Sequence, residues 1–230
     1  MTDTAKDTAT ELLDAILMHV PFDGWSDTAF KAAIQDVGVA PALAHGLFPR
    51  GAIDLAAAFH RRGDDAMAAR LKERITDDMR FRDKVALAVR LRLEAVDDKE
   101  LVRRGATLFS LPMHAAEGAR LIWGTADRIW NELGDTSRDI NWYTKRATLS
   151  GVYSSTVLYW LGDDSLDYQA TWAFLDRRID NVMQIEKTKA QIRKTPGIGR
   201  MFQGAEAMLS RVAAPKLRRD DLPGASAFPR

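Results

Sequence analysis

The sequence predicts an all-α protein. Three observations carry this. Apolar residues recur at three- and four-residue steps through successive segments, the spacing that lines one face of a helix. Proline and glycine punctuate those segments at Pro21, Gly38, Phe48-Pro49 and Pro112. No proline interrupts the chain from Met113 to Thr195, so long helices can run there.

The elements follow in order. Residues 1–9 read as frayed. Thr10 to Val20 is a first helix with Leu13, Ile16, Leu17 and Val20 on one face, and Pro21 stops it. Ser26 is a good N-cap for a second helix, Asp27 to Val37, whose core side is Phe30, Ala33, Ile34 and Val37. Gly38 sits where a tight helix-helix turn needs positive φ. A short helix from Ala40 to Leu47, a Phe48-Pro49-Arg50-Gly51 turn and a helix starting at Ala52 follow. Residues 64–96 read as helical, with Met79, Val85, Ala86, Val89 and Leu93 at core spacing. Asp97-Asp98 is a turn before a helix over Lys99 to Phe109. A helix ending near Leu133 carries an Ile122, Ile129, Leu133 stripe beside Trp123 and Trp130. Thr136 and Asp139 have capping-box spacing and open a helix running to Leu161. Its first turns put Asp139, Trp142, Tyr143 and Arg146 on one face, while Ala147, Gly151 and Ser155 recur every four residues. Trp142 and Tyr143 read either as core or as a docking patch. Ser165 caps a last long helix, Leu166 to about Ile192.

The N-terminal order resembles the helix-turn-helix of the TetR family. Phe30 to Val39 resembles that family's AAxxAGV turn, and Gly46-Leu47-Phe48-Pro49 its YxHFP exit. The chemistry departs from it. Pro41-Ala42-Leu43-Ala44-His45-Gly46, at the recognition-helix position, holds no Lys, Arg, Asn, Gln, Ser or Thr to read base edges. Between Pro21 and His60, Lys31 and Arg50 face Asp23, Asp27, Asp36 and Asp54, a balance that repels phosphates. No nucleic-acid partner is expected.

Composition narrows the function. There is no cysteine, so no disulfide and no thiolate or zinc-thiolate chemistry. No apolar run approaches the roughly 20 residues of a membrane span. The net charge of +1 conceals an asymmetry: Lys187 to Arg219 holds nine Lys/Arg against one acid, Glu206, and the body is acidic. Such an arm points to an anionic surface. Within it, about Gly197 to Val212, the residues Ile198, Met201, Phe202 and Leu209 fall on one arc, the pattern of an interfacial membrane helix. The tail beyond it reads as disordered. His19, His45, His60 and His114 lack metal-ligand spacing, and no phosphate loop, dinucleotide fingerprint or nucleophile elbow occurs. The Asp-Asp pairs at 64–65, 77–78, 97–98, 163–164 and 220–221 read as solvated turns or helix ends. No catalysis, metal or cofactor is expected.

Asp135-Thr136-Ser137, the run Asp139 to Arg146 (Asp-Ile-Asn-Trp-Tyr-Thr-Lys-Arg) and Thr171-Trp172-Ala173-Phe174-Leu175 together resemble the ubiquinone-biosynthesis accessory proteins of the Coq-nine family. The resemblance runs from about Leu12 to Val212. It implies a TetR-like fold with an extra C-terminal amphipathic helix. The expected domains are a helix-turn-helix module over 1–62, a lipid-binding and dimerisation domain over 63–195, a membrane helix over 196–213 and a tail over 214–230. It implies a bound lipid, whether isoprenoid, quinone precursor or phospholipid, a homodimer, and delivery of a lipid quinone precursor to a demethoxyubiquinone-type di-iron hydroxylase at the membrane. Asp139, Trp142 and Tyr143 match the patch that contacts that hydroxylase, and Ile198, Met201, Phe202 and Leu209 the membrane helix. Ile122, Trp123, Ile129, Tyr153, Val157, Trp160 and Trp172 are candidates to line the lipid chamber; core packing is the other reading of the tryptophans. The opening residues show no presequence, so a bacterial cytoplasmic protein, peripheral on the inner membrane, is expected. The alternative function is a TetR-type regulator answering to an apolar ligand.

Overall fold

The computed structural model describes the backbone of residues 3–194 and the side chains of residues 5–184. The expected membrane helix, with Ile198, Met201, Phe202 and Leu209, and the expected tail lie outside the described residues. Nine α-helices and one 3-10 turn are described, with no strand among the described residues: α1 Asp3–Asp23, α2 Asp27–Val37, α3 Pro41–Leu47, α4 Ala52–Arg74, α5 Phe81–Glu94, α6 Lys99–Ser110, α7 Ala115–Glu132, α8 Ile140–Leu161 and α9 Gln169–Lys194. The 3-10 turn, Leu166–Tyr168, leads into α9. The fold is an all-α bundle.

Local signals account for most boundaries. Ser26 Oγ accepts the Ala29 N–H at the start of α2, and Gly38, at φ 70°, closes it by donating to Ile34 and Gln35 carbonyls. Asp98 accepts the Glu100 N–H to cap α6. Four boundaries differ from expectation. The last long helix, expected from Leu166, begins as α9 at Gln169, because Asp167 and Tyr168 take positive φ in the 3-10 turn before it. α1 is helical from Asp3 and runs through Pro21 to Asp23. A proline this close to a helix end forfeits one backbone bond only, and Gly24, at φ 69°, makes the stop. Met79 lies in the turn between α4 and α5, half-buried, because the helical material over 64–96 is two helices. The start of α8 falls at Ile140, and Asp139 caps it alone by accepting the Asn141 N–H at 3.0 Å.

The first compact unit holds Met1–Asp135 and Arg146–Gln184; of the second, the side chains of Thr136–Lys145 are described. Within the first unit α1 packs on α2, α3, α4 and α6, and α4 packs on α5 and α7. Two apolar clusters form. One joins Leu12, Ile16 and Val20 to Phe30, Ala33, Leu55 and Leu101. The other joins Met67 and Leu71 to Val89, Ile129, Leu149, Tyr153, Trp160, Leu175 and Ile179. Residue 62, the expected module boundary, falls inside α4, and this helix contributes its first half to one cluster and its second half to the other.

Arg146 departs most from the face it was placed on. Its side chain is 1% exposed, and Nε meets Asp127 at 2.6 Å while Nη1 meets Asp135 at 2.9 Å. Nη2 donates to Asn131 Oδ1 at 3.2 Å. Asp135 is in place because Gly134, at φ 77°, reverses the chain after α7, and the Asp135 N–H returns to the Trp130 carbonyl. One guanidinium thus ties α8 to the end of α7.

Candidate functional site

A cavity of about 400 Å³ opens within the first unit. That volume falls in the range of small-molecule sites. Its walls come from α4 to α8, with Trp25 from the α1–α2 connection. Small residues make the space. α6 presents Gly105 and Ala106, and α7 presents Ala115, Gly118 and Ala119. A Cβ on Gly118 would lie 2.8 Å from Phe109 Cβ, so α6 and α7 cross closely at that glycine. Trp25 Nε1 donates to the Leu101 carbonyl at 3.2 Å, which holds the indole on the wall. The wall is predominantly apolar and aromatic, with Phe59, Phe109 and Trp160 prominent. Leu158 lines the cavity and is 68% exposed, and Ala106, Ser110, Ala115 and Ala119 of the α6 and α7 wall are exposed as well, so the cavity is open to solvent along these helices.

Of the seven expected lining residues, Ile122, Tyr153, Val157 and Trp160 are on the wall. The other three are elsewhere. Trp123 is one step further round α7 than Ile122, about 100° away, and does not line the cavity. Ile129 shares Ile122's stripe but sits two turns along α7, where it is fully buried in the larger apolar cluster. Trp172 lies on α9; its Nε1 donates to the Asp167 carbonyl and Arg90 stands 4.8 Å over its ring. The Ala147, Gly151, Ser155 stripe does not form the space either. A Cβ on Gly151 would have nothing within 4 Å among the described residues.

The wall also carries a polar cluster that spacing did not reveal. Arg92, 4% exposed, donates from Nε to Asp64 Oδ1 at 2.6 Å and from Nη2 to the His60 carbonyl at 3.0 Å. Asp64 is 8% exposed, which corrects the reading of the 64–65 pair as a solvated turn. Thr125, fully buried, joins Asp64 Oδ1 at 2.9 Å and His60 Nε2 at 2.8 Å. Asp64, Thr125 and His60 thus form one hydrogen-bonded chain behind the wall. Burial raises the Asp64 carboxyl above its usual range, against the pull of Arg92 and Thr125. Asp163 behaves differently. It accepts from the Ser165 N–H, the Thr171 N–H and the Thr171 hydroxyl, and these bonds hold its carboxyl well below the usual range. It caps a helix start, as expected of a helix end, but at 6% exposed it is not solvated.

Burial, and then the charge of Arg92, push His60 down to about 3. The imidazole is therefore neutral at physiological pH. In the unfolded chain it titrates near 6.5, so between those values the unfolded state binds a proton that the folded state refuses. Stability then falls as pH drops through that window, by up to about 1.4 kcal/mol per pH unit for this group. Asp64, with its pKa raised, acts in the opposite sense. The expected result is a denaturant midpoint that falls more steeply between pH 7 and 5 in the wild type than in His60→Gln. Because Asp64 is common to both, parallel slopes would remove the assignment.

In the second unit, Trp142 and Tyr143 stack edge to face with ring centroids 4.8 Å apart. Both are half-buried and Asp139 is exposed. Asp139 also accepts from Asn141 Nδ2 at 2.9 Å, so its carboxylate serves the helix start.

The family model described as COQ9 matches residues 115–186, from the start of α7 into α9. The ubiquinone biosynthesis protein COQ9, mitochondrial, of Drosophila melanogaster is 32% identical over 84% of this chain and 60% of its own length. The proteins of the same description from Rattus norvegicus and Homo sapiens are 30% and 29% identical, each over 80% of this chain and 61% and 60% of their own lengths. The chain thus spans about 60% of the length of these curated relatives. A TetR transcriptional regulator from Nitrosomonas europaea superposes with a TM-score of 0.62 at 16% identity, over 75% of this chain and 95% of its own, and shares the fold. One expectation is overturned. The relatives are described as mitochondrial, which contradicts a bacterial cytoplasmic protein. That expectation rested on the residues with which the sequence opens, and these carry no information on compartment in a chain shorter than its relatives. By its signature block and its matched relatives, the chain is similar to the COQ9 proteins.

Proposed function

We propose that this chain serves ubiquinone biosynthesis as a non-catalytic lipid-binding protein, presenting a polyprenyl quinone precursor to a demethoxyubiquinone-type di-iron hydroxylase at a membrane. The single observation that supports it is the apolar cavity, open to solvent and bounded by Ile122, Tyr153, Val157 and Trp160. A prenyl tail buries many methylenes at roughly 0.8 kcal/mol each, so its removal from a bilayer is slow without an apolar receptor. Asp139, Trp142 and Tyr143 are the proposed hydroxylase contact, and the basic arm with Ile198, Met201, Phe202 and Leu209 the proposed membrane contact. A homodimer belongs to the same proposal. A nucleic-acid partner does not: Lys31 pairs with Asp27 at 2.6 Å, and Arg50 with Asp54 and Glu117 at 2.6 and 2.7 Å, so the two cations between Pro21 and His60 are engaged.

Mass spectrometry of lipid extracted from the purified, folded protein tests the reading. An isoprenoid or quinone precursor is expected. Folded protein free of isoprenoid, quinone and phospholipid would count decisively against it. Trp142→Ala or Tyr143→Ala is expected to weaken hydroxylase binding by about 1 kcal/mol or more, the threshold of an interface hot spot, with the melting temperature unchanged. A variant that unfolds instead assigns the pair to the core.

A further inference from the structure

We propose that the turn joining α6 to α7 is an insertion edge, which lays the open side of the cavity on an anionic lipid surface. This rests on the lipid-binding reading. It adds a contact with the bilayer separate from the expected C-terminal helix, and a route by which an apolar ligand reaches the cavity.

The turn stands at the opening by its place in the chain. Ser110 and Ala115 line the cavity and are exposed, and Leu111 to His114 lies between them. Ala106, one helical turn back on α6, and Ala119, one turn on along α7, are also exposed lining residues. The ligand space therefore faces whatever covers this edge of the two helices. If that cover is a bilayer, an apolar chain passes from leaflet to wall without crossing water.

The tip is apolar, exposed and fixed. Leu111 is 45% exposed and Met113 79%, with Pro112 exposed between them. Single exposed apolar residues are ordinary, but a run of three at one tip marks a contact surface. The Leu111 carbonyl accepts from the His114 N–H at 2.8 Å and from the Ala115 N–H at 2.9 Å, which closes the turn around Pro112. Little order is left to impose on binding. Nearby hydroxyls are turned back on α6: Thr107 Oγ1 donates to the Arg103 carbonyl at 3.0 Å, and Ser110 Oγ to the Thr107 carbonyl at 2.8 Å. Neither needs water, so the edge loses little hydrogen bonding on entering an apolar layer.

Charge points to an anionic surface. In an otherwise acidic body, the stretch from Leu101 to Ala126 holds Arg103, Arg104 and Arg120 against one acid, Glu117. Glu117 is already held by Arg50 through two bonds of 2.7 and 2.8 Å. Arg103 and Arg104 share Glu100. Arg120 is exposed and makes no ion pair among the described residues. An apolar tip flanked by basic side chains is the pattern of an interfacial contact, with the long stems reaching the headgroups.

The sequence has no cysteine, so single-cysteine variants of the full chain take a fluorescent label at one place. Met113→Cys, Phe202→Cys and, on α2, Lys31→Cys are each labelled with nitrobenzoxadiazole and mixed with vesicles of phosphatidylcholine and phosphatidylglycerol. The label at position 113 is expected to shift to the blue and to be quenched by lipids brominated along the acyl chain, while that at position 31 stays in water. The pair Leu111→Asp with Met113→Asp, both at exposed positions, is expected to weaken vesicle binding about tenfold, with the melting temperature unchanged. Arg120→Gln is expected to cost roughly fivefold on these vesicles and nothing on phosphatidylcholine alone. A label that stays in water at 113 but enters the bilayer at 202 overturns the edge and leaves the lipid reading standing. Equal responses at 31 and 113 overturn it too, since no fixed face then meets the membrane. A turn variant that keeps its vesicle affinity but loses the hydroxylase gives the tip to a protein partner instead. No response at any position removes the membrane reading and this inference together. If the double variant does not fold, the label at 113 decides the matter.

Discussion

Arg146→Met is expected to destabilise the protein by about 3–5 kcal/mol, the usual cost of removing one partner from a buried ion pair. The guanidinium is 1% exposed, and Asp135, one of its two carboxylate partners, is equally buried. Methionine fills similar volume, so the loss is electrostatic rather than a cavity. What remains is a buried Asp135 carboxylate that has lost the Arg146 guanidinium, near Asp127, at the junction of α7 and α8. Arg146→Lys keeps the charge but not the fork that reaches Asp127, Asp135 and Asn131 together, and is expected to recover part of the loss. Urea denaturation at pH 7 measures both. A change below about 1 kcal/mol for the methionine variant, the ordinary range of an exposed pair, would show that the network does not hold the junction.

Asp64→Ala is expected to cost a similar amount, about 3–5 kcal/mol, because it strands Arg92 beneath α4 without its carboxylate. Here a second variant sharpens the test. Replacing both partners by apolar residues, Asp64→Leu with Arg92→Met, removes the unpaired charge as well as the pair. Such replacements are often neutral or stabilising, so the double variant is expected to be more stable than Asp64→Ala. The coupling in the double-mutant cycle reports the pair itself. A double variant as unstable as the sum of its parts would mean that Arg92 and Asp64 act separately.

Much of the N-terminal half was legible because its signals are local. Ser26 caps α2 through an amide three residues away, and Gly38 supplies a positive φ that few residues tolerate. The same holds for Asp98 before α6. The signature block from Asp135 carried the resemblance to the COQ9 proteins because it is a run of particular residues and needs no folded context. The exceptions were also local in origin: Pro21 was given more power to stop a helix than its place near the end allows, and the cap of α8 fell on Asp139 rather than on the Thr136 pair.

The cavity was legible in part. Helical spacing can tell which residues share a stripe, and Tyr153, Val157 and Trp160 do reach the wall. It cannot tell how far along a helix its neighbour crosses. Ile122 and Ile129 are alike by spacing, yet only the first lies where α6 approaches α7 through Gly118. Burial of charge is hidden for the same reason. Asp64-Asp65 is indistinguishable in sequence from the other Asp-Asp pairs, and what makes Asp64 a core residue is Arg92, 28 positions away on another helix. The sequence by itself therefore determined the helical class, most of the punctuation and the family resemblance. Tertiary structure alone decided which carboxylates are buried, where the space is and what chemistry faces it, because those depend on the depth and angle at which helices meet, and no single helix encodes them.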